Sequence, residues 1–396
     1  MNTYKLNNPT WLKSLIVGLF LLALMYISFK FCSEFSWVLI FFITFAYLIF
    51  LGLNVKSSTL KVLYYNTSAI FIALFLYESY LCASFFFKKD KKLIEESGSY
   101  VHNDYMAEHP YLGYGVRTDG VFTSKKKIEG KVLYDVSYTI KNRLRHTPNS
   151  NVNSKDCVLF FGCSFTFGEG LPDTSTLPFY FNDLVNRKFK VFNYGFHGYG
   201  PHQMLATIEN RISKDMEGCK NEKIAIYSFI PFHVARAAGY SGWDQDGPMY
   251  EIVNGSLEKV IPFKNRIPHV LNEKIRLSHI YKKFFTNKLP SKHDLIRTIE
   301  IIKKSKEILA KKNIKMYVFI WNDDKSWLYS YFSLDYFTNE MLKSDIKTFL
   351  LTNSVADYSK NKKNYILSDD DKHPNALVNK KIANYLYLQL NDKTAY

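Results

Sequence analysis

Residues 157–173 read CVLFFGCSFTFGEGLPD, and the organisation of the chain is worked outward from them. The run CVLFF is apolar without a break and stops at Gly162, the pattern of a short strand buried on both faces. A glycine-containing loop follows, with Ser164 at the junction. A serine placed there is exposed at the carboxyl end of the strand, the edge at which open α/β sheets bind ligands. Its own backbone N–H can also serve an oxyanion. A serine hydroxyl is a poor nucleophile at neutral pH and needs a base within hydrogen-bond reach. The loop by itself is as readily an ordinary turn.

Beyond this segment, short apolar runs bounded by turn residues recur at 190–194, 224–231, 315–321 and 364–367. Between them lie helical patterns at 175–187, 201–214, 291–311 and 334–351, and a closing helix at 375–391 carries Ile382, Leu386 and Leu390 on one face. Buried strands alternating with helices imply right-handed crossovers and a mostly parallel sheet. The expected fold is a three-layer α/β/α sandwich around a five-stranded parallel sheet, spanning 151–396.

The loop before the closing helix reads SDDDKHPN (368–375). It sits at a carboxyl-end position, like Ser164, and places His373 a few residues after three consecutive acids, Asp369, Asp370 and Asp371. A carboxylate in such a loop fixes an imidazole's tautomer and stabilises the imidazolium that forms on proton transfer. A plain helix-capping loop is the competing reading, and the pairing with Ser164 is what sets it aside.

Taken together, GCSFTFGEG (162–170), NYGFHGYG (193–200) and DDKHPN (370–375) resemble the first, second and last blocks of the GDSL/SGNH hydrolases, in the family's order. The resemblance covers roughly 156–391 and implies a flavodoxin-like sheet and ester chemistry without a cofactor or metal. It implies Ser164 as nucleophile, His373 as base and Asp370 as the orienting acid, with the backbone N–H groups of Ser164 and Gly198 as oxyanion donors. Cys163 stands where the family usually has Asp. The third block departs from the family: where it has G-x-N-D, this chain reads FIPFHVAR (229–236). His233 could donate there in place of the missing Asn, or be structural. Asn322 falls after the wrong strand. Losing one oxyanion donor costs on the order of 100- to 1000-fold in turnover. His197 and His202 lie at the same sheet edge and could line the pocket, without a recognised metal-ligand spacing. The resemblance implies a serine esterase acting on an O-acyl, above all O-acetyl, ester of a cell-envelope glycan or lipid through an acyl-enzyme. An O-acyltransferase on glycans and a catalytically silent binding module are the alternatives.

Residues 93–150 form a linker and a small module, in which KVLYDVSYTI (131–140) alternates as a half-buried strand does. Residues 1–92 are read as a membrane anchor. Apolar runs at 12–31 and 35–53 each reach the roughly 20 residues a span requires. A third run, 68–87, carries Glu78 near its middle, so it is either a third span or a juxtamembrane helix with Glu78 facing a neighbouring helix or water. No small-x-small cleavage pattern follows the first run.

The 396 residues carry 52 Lys and Arg against 36 Asp and Glu, a net charge of +16. The lysines are scattered and no nucleic-acid signature accompanies them, which excludes nucleic acid as the expected partner. Lys88, Lys89, Lys91 and Lys92 beside the third run suit anionic lipid head groups. The partners expected are the bilayer and the acylated substrate. The flanking lysines do not settle orientation, and the catalytic domain is expected outside the cytoplasm. The five cysteines lack the spacing of a disulfide framework.

Overall fold

The computed structural model describes residues 10–31, 35–87, 92–101, 105–263, 274–285, 290–322 and 333–391. They fall into two compact units, Met1–Lys91 with Ile267–Asn287, and Lys92–Arg266 with Lys288–Tyr396. Cys32, Lys88, Lys89 and Lys91 lie outside the described residues.

The larger unit contains all the strands: β1 (Ile94–Ser97), β2 (Met106–His109), β3 (Gly113–Val116), β4 (Gly120–Ile128), β5 (Lys131–Lys141), β6 (Leu144–Arg145), β7 (Cys157–Phe161), β8 (Lys190–Asn193), β9 (Lys223–Phe229), β10 (Met249–Val253), β11 (Ser256–Val260), β12 (Lys315–Ile320) and β13 (Lys347–Leu350). Nine of them form one sheet in the order β1-β4-β5-β6-β8-β7-β9-β12-β13. The pairs from β8 through β13 are parallel, and those from β1 through β8 are antiparallel.

Burial on both faces explains why β7 is wholly apolar. Cys157, Leu159 and Phe161 enter one core, together with Met204, Ile208, Leu295 and Ile299 from helices Pro201–Asn210 and Lys292–Ala310. Val158 and Phe160 enter the other, with Leu177 and Phe181 of Leu177–Leu184 and Val378, Ile382 and Leu386 of Ala376–Asn391. Helices therefore cover both faces of the parallel strands. The long helix starts on a capping box, in which Ser291 Oγ accepts from Asp294 N (3.3 Å) and Asp294 Oδ2 accepts from Ser291 N (2.7 Å).

Three expectations from sequence need correction. The fifth parallel strand is Lys347–Leu350, inside the stretch expected to be helical at 334–351. That helix ends at Lys343, and Asp345 follows with φ +53°, a left-handed turn that stops helix propagation and frees the next residues to pair. The run 364–367, expected as a strand, follows the 3-10 turn Lys362–Asn364 and carries one isolated bridge, Ile366 to Pro374. Two cysteines do pair: Cys157 and Cys219 form a disulfide across 62 residues.

The 93–150 stretch extends the main sheet by four antiparallel strands. Arg145, buried on β6, stacks its guanidinium over Tyr138 and Phe167 (4.4 and 4.7 Å to the ring centroids) and pairs with Asp173 (2.9 Å). Arg145 also donates to Leu171 O (2.9 Å), and Tyr138 OH accepts from Gly170 N (2.9 Å). The added strands thus brace the loop that follows Ser164.

In the smaller unit, helices Thr10–Phe31, Ser36–Asn54 and Ser58–Phe87 are joined by a short helix, His279–Phe285. Ser36–Asn54 and Ser58–Phe85 are long and apolar enough to cross a membrane. Glu78 is buried and faces protein. It accepts from Ser278 Oγ (3.1 Å), His279 N (2.5 Å) and Ile280 N (2.8 Å), so its carboxylate caps the short helix.

Candidate active site

Ser164 opens a four-residue helix, Ser164–Phe167, directly after β7. The tight turn before it depends on Gly162, whose φ is +154° and whose Cβ, if present, would lie 2.2 Å from Thr166 Oγ1. Asn193, buried at the end of β8, fixes the same turn. Its Nδ2 donates to Thr166 O (3.0 Å) and its Oδ1 accepts from Gly195 N (3.0 Å). Cys163 points into the apolar core and has no access to the site.

His373 reaches Ser164 across the carboxyl edge of the sheet, with Nε2 2.8 Å from Oγ. Its Nδ1 lies 2.5 Å from Oδ1 of Asp371. Asp370, the acid that the family spacing selects, is not the partner: it turns outward to Lys92 at 2.8 Å. Each of the three acids meets a different side chain, because Ser368 Oγ accepts from both Asp370 N and Asp371 N and folds the loop so that only Asp371 faces inward. Asp369 pairs with Lys363 (2.8 Å), and Asp371 Oδ2 with Lys126 on β4 (2.8 Å). Burial opposes ionisation of Asp371, but His373 and Lys126 outweigh it and hold the carboxyl well below the usual range.

A second carboxylate adjoins His373. Glu169 Oε2 lies 3.6 Å from His373 Nε2 and 2.6 Å from His197 Nδ1. His197 Nε2 in turn meets Tyr105 OH at 3.1 Å. Burial would raise the Glu169 carboxyl, but His373 and then His197 overcome it and pull the pKa down to about 2. For His373, burial favours the neutral ring; the charges of Glu169 and then Asp371 prevail and raise its pKa.

These groups open onto a cleft of about 650 Å³ lined by Ser164, Glu169, His197, Gly198, His373 and residues of β2 and β3. Gly198 has φ +71°, and a Cβ there would lie 2.5 Å from the Trp243 indole nitrogen and 2.7 Å from Tyr114 OH, so only glycine fits. Among the described residues, the N–H groups of Ser164 and Gly198 donate to no other group, and both residues line the cleft.

His233 is not at the cleft. It is fully buried, with Nδ1 2.7 Å from Tyr227 OH, and burial and then Arg236 keep it neutral by lowering its pKa well below the ordinary value. His202 is also buried, bonded to Asp244 (2.7 Å), whereas His197 does line the cleft. Asn322 bonds Thr352 (2.9 Å) on the far side of β12 in sequence.

Sequence reasoning missed Glu169, Lys126, Arg236 and Trp243. Glu169 was within the first block, where its position between two glycines in the loop was a usable signal. Lys126 carried none, because β4 reaches the loop only after the sheet assembles.

No protein-family model matches this chain, and no curated protein matches it in sequence. Among solved structures it is similar to AlinE4, described as an esterase of the SGNH-hydrolase family, at 14% identity and a TM-score of 0.34 to 0.33, the alignments covering 61% to 62% of this chain and 97% to 100% of that one. It is also similar to a protein described as lipolytic, of the G-D-S-L family, from Desulfitobacterium hafniense DCB-2, at 12% identity and a TM-score of 0.36, covering 58% and 97%. At such values neither likeness says what this chain does.

Proposed function

We propose that this chain is a membrane-anchored serine esterase that cleaves an O-acyl ester, above all an O-acetyl ester, of a cell-envelope glycan or lipid. The observation that carries the reading is the continuous line Ser164 Oγ, His373 Nε2, His373 Nδ1, Asp371 Oδ1, with separations of 2.8 and 2.5 Å at its two hydrogen bonds. His373 takes the Ser164 proton as Oγ attacks the carbonyl, and the N–H groups of Ser164 and Gly198 receive the oxyanion. His373 then protonates the leaving alcohol, and a water, deprotonated by the same ring, resolves the acyl-enzyme.

Two apolar helices of spanning length support the anchor, and a third helix, Thr10–Phe31, is read as a further span. The Cys157–Cys219 disulfide suits an oxidising compartment, which favours a catalytic unit outside the cytoplasm.

Hydrolysis of p-nitrophenyl acetate by the full-length chain in detergent, beside Ser164→Ala and His373→Ala, tests the reading. Activity lost in both variants is the expected result. Rates equal to wild type in either would sink it. One observation favours a second reading, a catalytically silent binding module: His233, the side chain expected to replace the missing oxyanion Asn of the third block, is buried away from the cleft. A folded wild-type chain that neither hydrolyses the ester nor labels at Ser164 with a fluorophosphonate would select that module.

A further inference from the structure

Among the described residues, the cleft beside Ser164 contains a cation that no carboxylate meets. Arg236 lines it from helix Phe232–Ala237 and is half-buried. Its Nη1 donates to Tyr199 O (2.7 Å), which fixes the guanidinium in place, and among the described residues it meets no carboxylate. A partly desolvated guanidinium without a carboxylate partner is costly to the fold, and its planar fork suits a carboxylate or phosphate. The two acids on the same cleft do not supply that partner. Glu169 is held by His197 at 2.6 Å, and Glu108 sits exposed on the rim.

Next to it stands Trp243, 61% exposed despite its size. The loop that presents it is not loose. Asp244, buried, accepts from His202 Nε2 and Gln203 Nε2, both at 2.7 Å. The indole nitrogen lies against Tyr114 OH and Gly198, at the place where the oxyanion donors are proposed. A rigid, exposed indole beside a nucleophile offers its electron-rich face to the C–H face of a sugar ring.

We infer that the substrate is an acidic saccharide: a sugar ring seated on Trp243, carrying a carboxylate or phosphate that Arg236 binds, with the ester presented to Ser164. This rests on the esterase reading and narrows it from glycan or lipid to an anionic O-acylated glycan.

Calorimetric binding to the full-length Ser164→Ala chain in detergent tests the inference without turnover. The probes are penta-O-acetylglucose, tetra-O-acetylglucuronate and tetra-O-acetylglucose phosphate. At least one anionic sugar is expected to bind about tenfold tighter than the neutral one, as a charge-assisted hydrogen-bonded pair would give. Which anion gains tells carboxylate from phosphate. Adding Arg236→Gln should abolish the preference, Arg236→Lys should keep part of it, and Trp243→Ala should weaken all three sugars. Equal binding of the three probes, or a preference that survives Arg236→Gln in a folded chain, would overturn the inference. Wild-type hydrolysis of p-nitrophenyl acetate is measured in parallel. Its absence alongside an intact anionic preference would remove the esterase reading and leave the acidic-saccharide site standing.

Discussion

Replacing Asp371 and Asp370 by asparagine, one at a time, separates the acid that serves His373 from its neighbour. The Asp371 side chain is 2% exposed and meets Nδ1 at 2.5 Å; the Asp370 side chain is 31% exposed and pairs with Lys92, itself 48% exposed. An amide at Asp371 would no longer enforce the tautomer that leaves Nε2 free to accept the Ser164 proton. In a Ser-His-Asp site such a change costs about ten-thousand-fold in kcat, roughly 5 kcal/mol of barrier. Asp370→Asn removes only an exposed, solvent-screened ion pair, so its rate should stay within about fivefold of wild type. Lys126 keeps Glu96 at 3.0 Å in the Asp371 variant, so its charge is not orphaned and the fold should survive with a loss of about 1–3 kcal/mol.

The assay is kcat on p-nitrophenyl acetate with a thermal melt on each protein. The melt carries its own sign. His373 and Lys126 outweigh burial and depress the Asp371 carboxyl, so its contribution is fully present above its unfolded pKa near about 4 and is lost as the pH falls below that. The gap in Tm between wild type and Asp371→Asn should therefore narrow in acid. A collapse of kcat in Asp370→Asn with Asp371→Asn near wild type would refute the reasoning.

Glu169→Gln should move the acid limb of the pH–rate profile to lower pH. Burial favours neutral His373, Glu169 and then Asp371 raise its pKa, and Lys126 opposes them. Since the ring must be neutral to accept the Ser164 proton, removing the Glu169 charge frees it at lower pH, and a limb that stays or moves upward contradicts this. Gly198→Ala should cost about 1–2 kcal/mol of backbone strain at φ +71° and also press on Trp243. Its kcat/KM should fall sharply, and wild-type kinetics would show that the glycine is dispensable. Cys157→Ser should lower stability by about 4 kcal/mol through the 62-residue loop that the disulfide closes. The same bond predicts a reductant-sensitive mobility shift on a denaturing gel, and no shift from an oxidising compartment would count against the pairing.

Much of this molecule is legible in one dimension. The unbroken run CVLFF is a strand buried on both faces because no polar residue interrupts it, and Ser164 stands at the carboxyl edge because it follows the turn that ends that strand, with His373 in hydrogen-bond reach of it. The apolar helices needed only length and composition to be recognised. What stayed hidden depends on which groups lie across from each other. Asp369, Asp370 and Asp371 are chemically identical in the chain, and only the packed loop turns one toward His373 and the others toward Lys363 and Lys92. The Lys126 contact spans 245 residues, and the Cys157–Cys219 bond joins the start of β7 to a loop after a later helix. The fifth strand was misplaced because KTFL pairs with β12 only once a left-handed Asp345 has ended the helix before it. Periodicity and turn chemistry are properties of neighbouring residues, so the sequence determined most of the strands and helices and singled out Ser164 and His373 as candidates. The direction of a side chain in a loop depends on distant partners brought near by folding, so only the tertiary structure decided the acid, the second carboxylate and the charged wall of the cleft.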